Sequence, residues 1–206
     1  NNEDKLYVGF FGVNNGIIEN VKLENPSVIT TNDYSGGLAG QNNGLIRRCS
    51  VIGSKPVKAM GRLGGLVGKN TGTITESYTS IPVEATSWYV GGLVGTNGGT
   101  IIDCYATGSV TSLNGEQIGG LIGDVWSSCI VKNSYATGKV SGVDDTGGLV
   151  GVSGSSLINC FYNTTTSGMS DTGKGEPKTT AEMKTSGTFS GWDFTNTWDI
   201  DGSGVL

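Results

Sequence analysis

The chain has 206 residues and a formal net charge of −5, and its 13 basic residues are too sparse for the clustered basic face that nucleic-acid partners favour. It contains no histidine, which excludes a Ser-His-Asp triad, a Cys-His pair and the His-containing zinc sites. No apolar run reaches about 18 residues, so no membrane-spanning helix is predicted. We find no signal peptide, and a repeat begins within a few residues of Asn1, so we expect a fragment of a longer polypeptide with flanking domains.

The first predicted elements follow from a glycine motif that recurs along the chain. Residues 64–68 read Gly-Gly-Leu-Val-Gly, residues 91–95 repeat this sequence, and close variants precede and follow. The closing glycines of the six copies are Gly12, Gly40, Gly68, Gly95, Gly123 and Gly151. A period of 27 or 28 residues that holds over six copies indicates a repeat array.

Each copy continues in the same way. A turn of the form Asn-x-Gly comes next, and we expect its residues to take the positive φ that Asn and Gly tolerate. A short run then alternates in character, as in residues 104–110, where Cys104 and Ala106 alternate with Tyr105 and Thr107. This period of two predicts a strand with one buried face. We assign the Cys and Ala positions to the interior and the tyrosines to the outside, because free cysteine is among the most buried residue types.

No stretch of the repeats has helical periodicity, and 28 residues are too few for a propeller blade of about 40. The pattern therefore predicts an all-β fold, a right-handed parallel β-helix (β-solenoid) of about six coils, each with three short strands and three corners. Stacked coils place equivalent residues about 4.8 Å apart. The predicted strands lie near residues 6–12, 34–40, 62–68, 89–95, 117–123 and 145–151.

The fifth copy and the end of the chain depart from the pattern. Residues 124–129 replace the usual turn with about two extra residues, which predicts a bulge that carries Trp126. We divide the chain into a solenoid of residues 1–162 and a loop with a capping segment, residues 163–206. Within the second part we expect a loop over 163–178 and a short helix over 179–184. Four aromatic residues follow, and they are predicted to be buried against the last coil, whose apolar end needs a cover: Phe189, Trp192, Phe194 and Trp198.

The cysteines are predicted to be free thiols. Cys49, Cys104 and Cys160 occupy one repeat position in coils two, four and six, so neighbours in this series are about 9.6 Å apart. A disulfide needs Cα atoms within about 7 Å. Cys129 lies in the insertion, off this series, and has no evident partner.

The repeated pattern resembles the GLUG repeat, with its best copies at residues 91–110 and 119–140. Residues 180–201 also resemble the segment that often ends such arrays. The resemblance implies a large secreted or wall-attached bacterial protein, such as an adhesin-like protein or the non-catalytic part of an immunoglobulin A peptidase. It therefore implies an extracellular or cell-surface location. The repeat itself has no catalytic residues to carry over.

Five aromatic residues are candidates for ligand binding. Tyr78, Tyr105 and Tyr135 form a stripe that Phe161 continues, and it either stacks on sugar rings or only stabilises the sheet as a cross-strand ladder. Trp88 and Trp126 lie at predicted corners, where they either bind a ligand or shield the corner. No catalytic residue, metal ligand or cofactor site is predicted.

Three functions stay open from the sequence. The first is a non-catalytic extracellular structural or adhesive module of a larger bacterial surface protein, with a host or cell-surface glycan or protein as its partner. The second is a carbohydrate-binding module that uses the exposed aromatic residues. The third is a polysaccharide-active β-helix enzyme, which needs paired carboxylates. We expect no enzyme, because only Asp144 and Asp145 are adjacent, and neighbours along a strand point apart.

Overall fold

The computed structural model describes residues 6–201 and 204–205. The chain forms a parallel β-solenoid, in which each coil contributes one short strand to each of several sheets that run along the axis. Within the described residues, three sheets have six strands drawn from six successive coils, which confirms the predicted fold class and the number of coils. The right-handed sense stays a prediction.

Five parallel sheets, here called A to E in the order in which a coil passes through them, contain these strands. Sheet A holds Tyr7–Val8, Tyr34–Gly36, Leu63–Gly64, Val90–Gly91, Glu116–Gly119 and Asp144–Gly147. Sheet B holds Phe11–Asn14, Ala39–Asn42, Val67–Asn70, Val94–Asn97, Ile122–Val125 and Val150–Ser153. Sheet C holds Ile17–Glu19, Leu45–Arg47, Thr73–Thr75, Thr100–Ile102, Ile130–Lys132 and Leu157–Ile158. Sheet D holds Lys22–Glu24, Ser50–Ile52, Tyr78–Thr79, Tyr105–Ala106, Tyr135–Ala136, Phe161–Asn163 and Glu176–Lys178. Sheet E holds Val57–Ala59, Val83–Ala85, Val110–Ser112 and Val140–Ser141.

A coil therefore has five sides, and the expectation of three strands and three corners is wrong. Each predicted strand is split between sheets A and B at the Gly-Leu step. A further break lies between sheets C and D, where one residue per coil has a positive φ and turns the chain. These residues are Asn20, Arg48, Glu76, Asp103, Asn133 and Asn159. This corner has no clear signal in the sequence, because none of these six residues is glycine.

The glycine motif lets backbones approach one another where sheets A and B meet. In the copy at residues 64–68, a Cβ on Gly64 would overlap the carbonyl oxygen of Val67 in the same coil. A Cβ on Gly68 would lie 2.5 Å from the backbone nitrogen of Ser35 in the preceding coil. Neither glycine has a positive φ. The motif is therefore required by close packing of backbone on backbone, and Leu66 between the glycines is fully buried in the core.

The asparagines of the Asn-x-Gly segments form a buried ladder and do not take the positive φ that was predicted. The side chain of Asn14 donates a hydrogen bond to that of Asn42 (2.7 Å), Asn42 donates to Asn70 (2.8 Å), and Asn70 donates to Asn97 (2.7 Å). In the fifth coil Val125 takes the equivalent place and ends the ladder. Each amide thus satisfies the next across a coil boundary, which stabilises this edge of the core.

The interior is apolar, and the predicted inward face of sheet D is confirmed. Cys49, Cys104 and Cys160 are buried, with Ser77 and Ser134 in the coils between them. The backbone N–H of Cys49 donates to the hydroxyl of Ser77 (3.0 Å), and that of Cys104 donates to Ser134 (3.2 Å). The serine hydroxyls thus accept hydrogen bonds from the backbone N–H groups of the cysteines in the preceding coil.

All four cysteines are free thiols, as predicted, and we expect them to differ in reactivity. Burial raises the pKa of Cys160 to about 12 and that of Cys104 well above its ordinary range, so both are nearly all thiol at neutral pH. Cys129 is only half-buried. A thiol reagent should modify Cys129 first in the native protein and count four thiols per chain in denaturant. A denatured count of two or zero would contradict this assignment.

The open end of the last coil is covered by residues 163–178, the segment predicted as a loop. It contains the helix α1 (Thr164–Ser167), capped by the Asn163 side chain, and the seventh strand of sheet D. The buried ring of Tyr162 lies on Gly148, and its hydroxyl donates to the backbone oxygen of Asp171 (2.6 Å). The backbone N–H of Val150 donates to the oxygen of Lys174 (3.2 Å), which continues the coil stacking.

The remaining C-terminal residues run along the side of the solenoid. The predicted helix over 179–184 is a single 3₁₀ turn, Glu182–Lys184, and a second turn spans Ser186–Phe189. An antiparallel pair, Ile200–Asp201 with Gly204–Val205, follows. Phe189, Trp192 and Trp198 are buried as predicted, and Phe194 is half-buried. They lie against the outer face of sheet D, so they cover a side wall and not the end of the coil.

Candidate functional site

The tyrosines of sheet D stack along the axis. Tyr78 and Tyr105 have ring centroids 4.7 Å apart and planes 5° from parallel, and Tyr105 and Tyr135 follow at 5.0 Å and 6°. Phe161 occupies the next place in register. Parallel pairing of identical positions puts each ring over the next, and such pairs add about 0.5–1.5 kcal/mol beyond burial. We call these three tyrosines the tyrosine ladder.

The C-terminal segment covers most of the tyrosine ladder, contrary to the expectation that this face is solvated. Trp198 lies 6.0 Å from Tyr105 and 5.8 Å from Tyr135, and Trp192 lies 6.1 Å from Tyr135. Tyr135 is only 3% exposed as a result. The physical reason is that an outward row of aromatic rings is itself an apolar surface, and the tryptophans bury it.

The uncovered end of the ladder opens into a cleft of about 300 Å³ beside Trp198, here called the ladder cleft. Tyr78 and Tyr105 supply aromatic surface on one side and Trp198 supplies it on another. The polar lining residues are Arg48, Glu76, Asp103, Asn196 and Thr197. Aromatic faces with convergent hydrogen-bonding groups are typical of sites for small polar ligands.

Hydrogen bonds fix the walls of the ladder cleft. One oxygen of Asp103, Oδ1, accepts from the Trp198 indole N–H (3.3 Å) and from the Asn133 amide (3.1 Å). Arg48 forms an ion pair with Glu19, and its other terminal nitrogen lies 3.9 Å from Glu76. The C-terminal tryptophan is thereby tied to the C–D corner of the fourth coil, 95 residues earlier in the sequence. These contacts hold the cleft in one geometry.

The buried tyrosines predict a loss of stability in alkali. Burial raises the pKa of Tyr105 to about 12, and burial together with Tyr105 raises the pKa of Tyr135 further. In the unfolded chain tyrosine ionises near pH 10, so the folded state retains protons that the unfolded state releases. The contribution of these neutral tyrosines to the free energy of unfolding is fully present below about pH 10 and falls as the pH rises towards 12. Denaturant titrations at pH 9 and 11.5 should show a smaller loss for Tyr135→Phe than for the wild type, and an equal loss would contradict the assignment.

The two predicted corner tryptophans lie on other parts of the surface. Trp88 is 53% exposed, between sheets E and A. Trp126 is 44% exposed, between sheets B and C, on the predicted two-residue insertion. Of the five candidates, the fold thus brings Tyr78 and Tyr105 to one cleft, places Tyr135 beneath the C-terminal segment and leaves both tryptophans elsewhere. Sequence reasoning missed Asp103 and Arg48, whose positive φ gave no local signal.

Among the residues that the structure describes, no group of three or more acidic, Cys or His side chains is arranged to hold a metal ion. No helix in the described part of the chain is long and apolar enough to cross a membrane.

The fold and its ladders define the class of the protein, a parallel β-solenoid built from a short glycine-rich repeat. Comparison with known families then matches the GLUG motif at residues 86–111 and 114–141, the fourth and fifth coils. This match confirms, over those two coils, that the sequence resembles the GLUG repeat. No solved structure matches it.

A relative from Evansella cellulosilytica carries the description "Putative Gly-rich membrane protein". It is 45% identical over 106 residues, which cover 47% of this chain and 12% of the relative. The match thus spans only about an eighth of that longer protein.

Proposed function

We propose that the chain is a non-catalytic structural and adhesive module of a larger bacterial cell-surface protein. The GLUG motifs and the description of the longer relative as a membrane protein support a surface association. The observation that carries the structural part is the unbroken stacking of the coils. Side chains that repeat along the axis bond mainly to their equivalents in the next coil, as in the asparagine ladder and the tyrosine ladder.

This arrangement suits a stalk or display surface. Ion pairs also join neighbouring coils, such as Arg47 with Glu19 (2.5 Å) and Lys58 with Glu84 (2.6 Å). Ladders of this kind are extended by adding coils, without any change in the contacts of the coils already present. A module of this design holds its outer side chains at fixed spacings along a rigid axis.

Two measurements test this proposal. An antibody against the chain should label intact cells of the source organism, and labelling only after permeabilisation would overturn the surface location. Purified protein incubated with acidic and neutral polysaccharides should release no new reducing ends. Turnover by the wild type would contradict the non-catalytic assignment.

A second candidate function, carbohydrate binding at the ladder cleft, is favoured by the cleft's composition. Sugar rings stack on aromatic faces such as those of Tyr78 and Trp198, while their hydroxyl groups bond to charged and amide side chains. Glu76, Asp103 and Asn196 provide such groups around the rings. This composition supports binding of one or two units of a neutral saccharide.

A glycan array followed by calorimetry tests this function. The expected result is that Tyr78→Ala weakens binding of any saccharide hit by tenfold or more, because Tyr78 is the ladder ring that Trp192 and Trp198 leave uncovered. Trp88→Ala serves as the matched control, since it removes an exposed aromatic ring from another corner. Equal loss in both variants, or no hit on the array, would exclude the ladder cleft.

A further inference from the structure

A second candidate site lies on sheet B, away from the ladder cleft. Gln41, Lys69, Thr96 and Asp124 occupy one register position in coils two to five, so their side chains follow one another along the axis. We call them the sheet B row. The row borders Tyr34, whose ring lies 5.5 Å from the Lys69 nitrogen, and Trp126, whose ring lies 5.6 Å from it.

Polar atoms of the sheet B row lack partners. Thr96 is only 2% exposed, and its hydroxyl oxygen has no hydrogen-bond partner among the described residues. The side-chain oxygen of Gln41 is also buried and also has no hydrogen-bond partner among the described residues. A buried polar atom without a partner destabilises the folded chain, so such atoms are rare. Two such atoms flank Lys69 along the row, and a bound ligand would supply the partners that they lack.

Lys69 is the unmatched cation of this surface. Arg62, which lies over the rings of Tyr34 and Tyr89, is paired with Asp33. Within the described residues no carboxylate lies within ion-pair distance of Lys69, and its contacts are with the faces of two aromatic rings. The row thus offers one positive charge that no carboxylate of the described residues pairs with.

Trp126 is held flat beside the row. Its ring lies on Gly98, where a Cβ would come within 2.6 Å of the indole Cε3 atom. Its indole N–H donates to Oδ2 of Asp124 (3.0 Å), which fixes the ring in its plane. The two extra residues of the fifth coil place the ring there, and 44% of the side chain stays exposed. A fixed, partly exposed indole is a suitable platform for a sugar ring.

We infer that the sheet B row and Trp126 bind a uronic-acid unit of an acidic polysaccharide. The sugar ring stacks on Trp126, its carboxylate accepts from the Lys69 ammonium and the Thr96 hydroxyl, and a ring hydroxyl donates to Oδ1 of Asp124. A singly charged carboxylate matches the single unmatched lysine. A doubly charged phosphate would leave one charge unmatched beside Asp124.

The test uses calorimetry of the whole chain with tetramers of galacturonate, mannuronate and guluronate, and with their methyl esters. We expect at least one acid tetramer to bind, and its neutral ester to bind at least tenfold more weakly. Lys69→Met and Trp126→Ala should each weaken binding of the acid at least tenfold. Lys132→Met, which removes an exposed lysine from sheet C, should leave the affinity unchanged.

Thr96→Val separates binding from folding. Valine keeps the shape of threonine and removes the unpartnered hydroxyl, so the ligand-free variant should melt at the same temperature as the wild type or above it. Its affinity for the acid tetramer should nevertheless fall several-fold. A purely structural role predicts no change in affinity.

Three outcomes would overturn the inference: no binding of any acid tetramer, equal binding of acid and ester, or full affinity in Lys69→Met. Tyr78→Ala, which disrupts the ladder cleft, should leave uronate binding intact. Failure of this site is thus distinguishable from failure of the proposed neutral-saccharide site.

Discussion

Replacing Gly44 with alanine is expected to destabilise the solenoid by about 3 kcal/mol, whereas the same change at Gly16 leaves it nearly unaffected. Both glycines close the Asn-x-Gly segment, in the second and the first coil respectively. A Cβ on Gly44 would overlap the carbonyl oxygen of Gly16 in the coil below. A Cβ on Gly16 meets no described atom within 4 Å. The obstructing atom belongs to the backbone of a hydrogen-bonded ladder, so it moves only if the coils separate.

Thermal and denaturant unfolding of the two variants measures this difference. A loss of about 3 kcal/mol corresponds to a fall in melting temperature of roughly 6–12 °C for a chain of this size. Gly72→Ala and Gly99→Ala should behave like Gly44→Ala, because the same backbone contact recurs in each of the next two coils. If Gly16→Ala and Gly44→Ala destabilise the protein equally, glycine is required by the local conformation of this turn, and the contact with the neighbouring coil is not the reason.

Replacing Trp192 with alanine is expected to weaken the attachment of the C-terminal segment to the solenoid by about 3–5 kcal/mol. The indole is only 6% exposed and contacts Phe161, Phe189 and Trp198, with centroids 5.8, 4.8 and 4.4 Å away. Its N–H donates to the backbone oxygen of Asn159 (3.3 Å), so the change also removes a hydrogen bond across the side wall. Loss of the segment would expose Tyr135 and Phe161.

Limited proteolysis and hydrogen exchange follow this detachment directly. In Trp192→Ala, residues 179–201 should lose most of their protection from hydrogen exchange and proteolysis. The coils should keep most of theirs, because residues 163–178 still cover the end of the solenoid. Trp88→Ala, which removes an exposed indole, is the control and should change neither measurement. Simultaneous loss of protection in all coils would mean that the segment also supports the solenoid end.

Detachment of the C-terminal segment should also affect saccharide binding at the ladder cleft. The ladder cleft has Trp198, Asn196 and Thr197 on one wall, so it exists only while the segment is attached. Trp192 is absent from the residues that line the cleft. We therefore expect Trp192→Ala to weaken saccharide binding at the ladder cleft and to leave uronate binding on sheet B unchanged.

Part of the architecture followed from the sequence alone. A constant period forces equivalent residues to stack, which is why the coil number, the parallel pairing and the inward position of Cys49, Cys104 and Cys160 were all predictable. The same register argument excluded disulfides along this series. These properties depend on one repeat length and on alternation within a strand, and both are local in the sequence.

Other properties depend on what lies one coil away. The role of Asn42 appears only when Asn14 and Asn70 lie below and above it, because its amide bonds to both of these neighbours as well as to the glycine carbonyl of its own turn. The glycines of residues 64–68 likewise have ordinary φ values, and only the neighbouring backbone shows why a side chain is forbidden. Local turn chemistry therefore singled out the Asn and Gly residues that matter but predicted a positive φ that they do not have.

The sequence by itself determined a six-coil parallel solenoid with a defined interior, since periodicity and alternation fix which residues repeat and which face inward. The tertiary structure alone decided where the non-repeating C-terminal residues lie. Trp198 meets Asp103 across 95 residues of sequence, and no period relates the two. The contact forms because the outward tyrosine rings present an apolar side wall that the tryptophans bury, and this docking creates the ladder cleft.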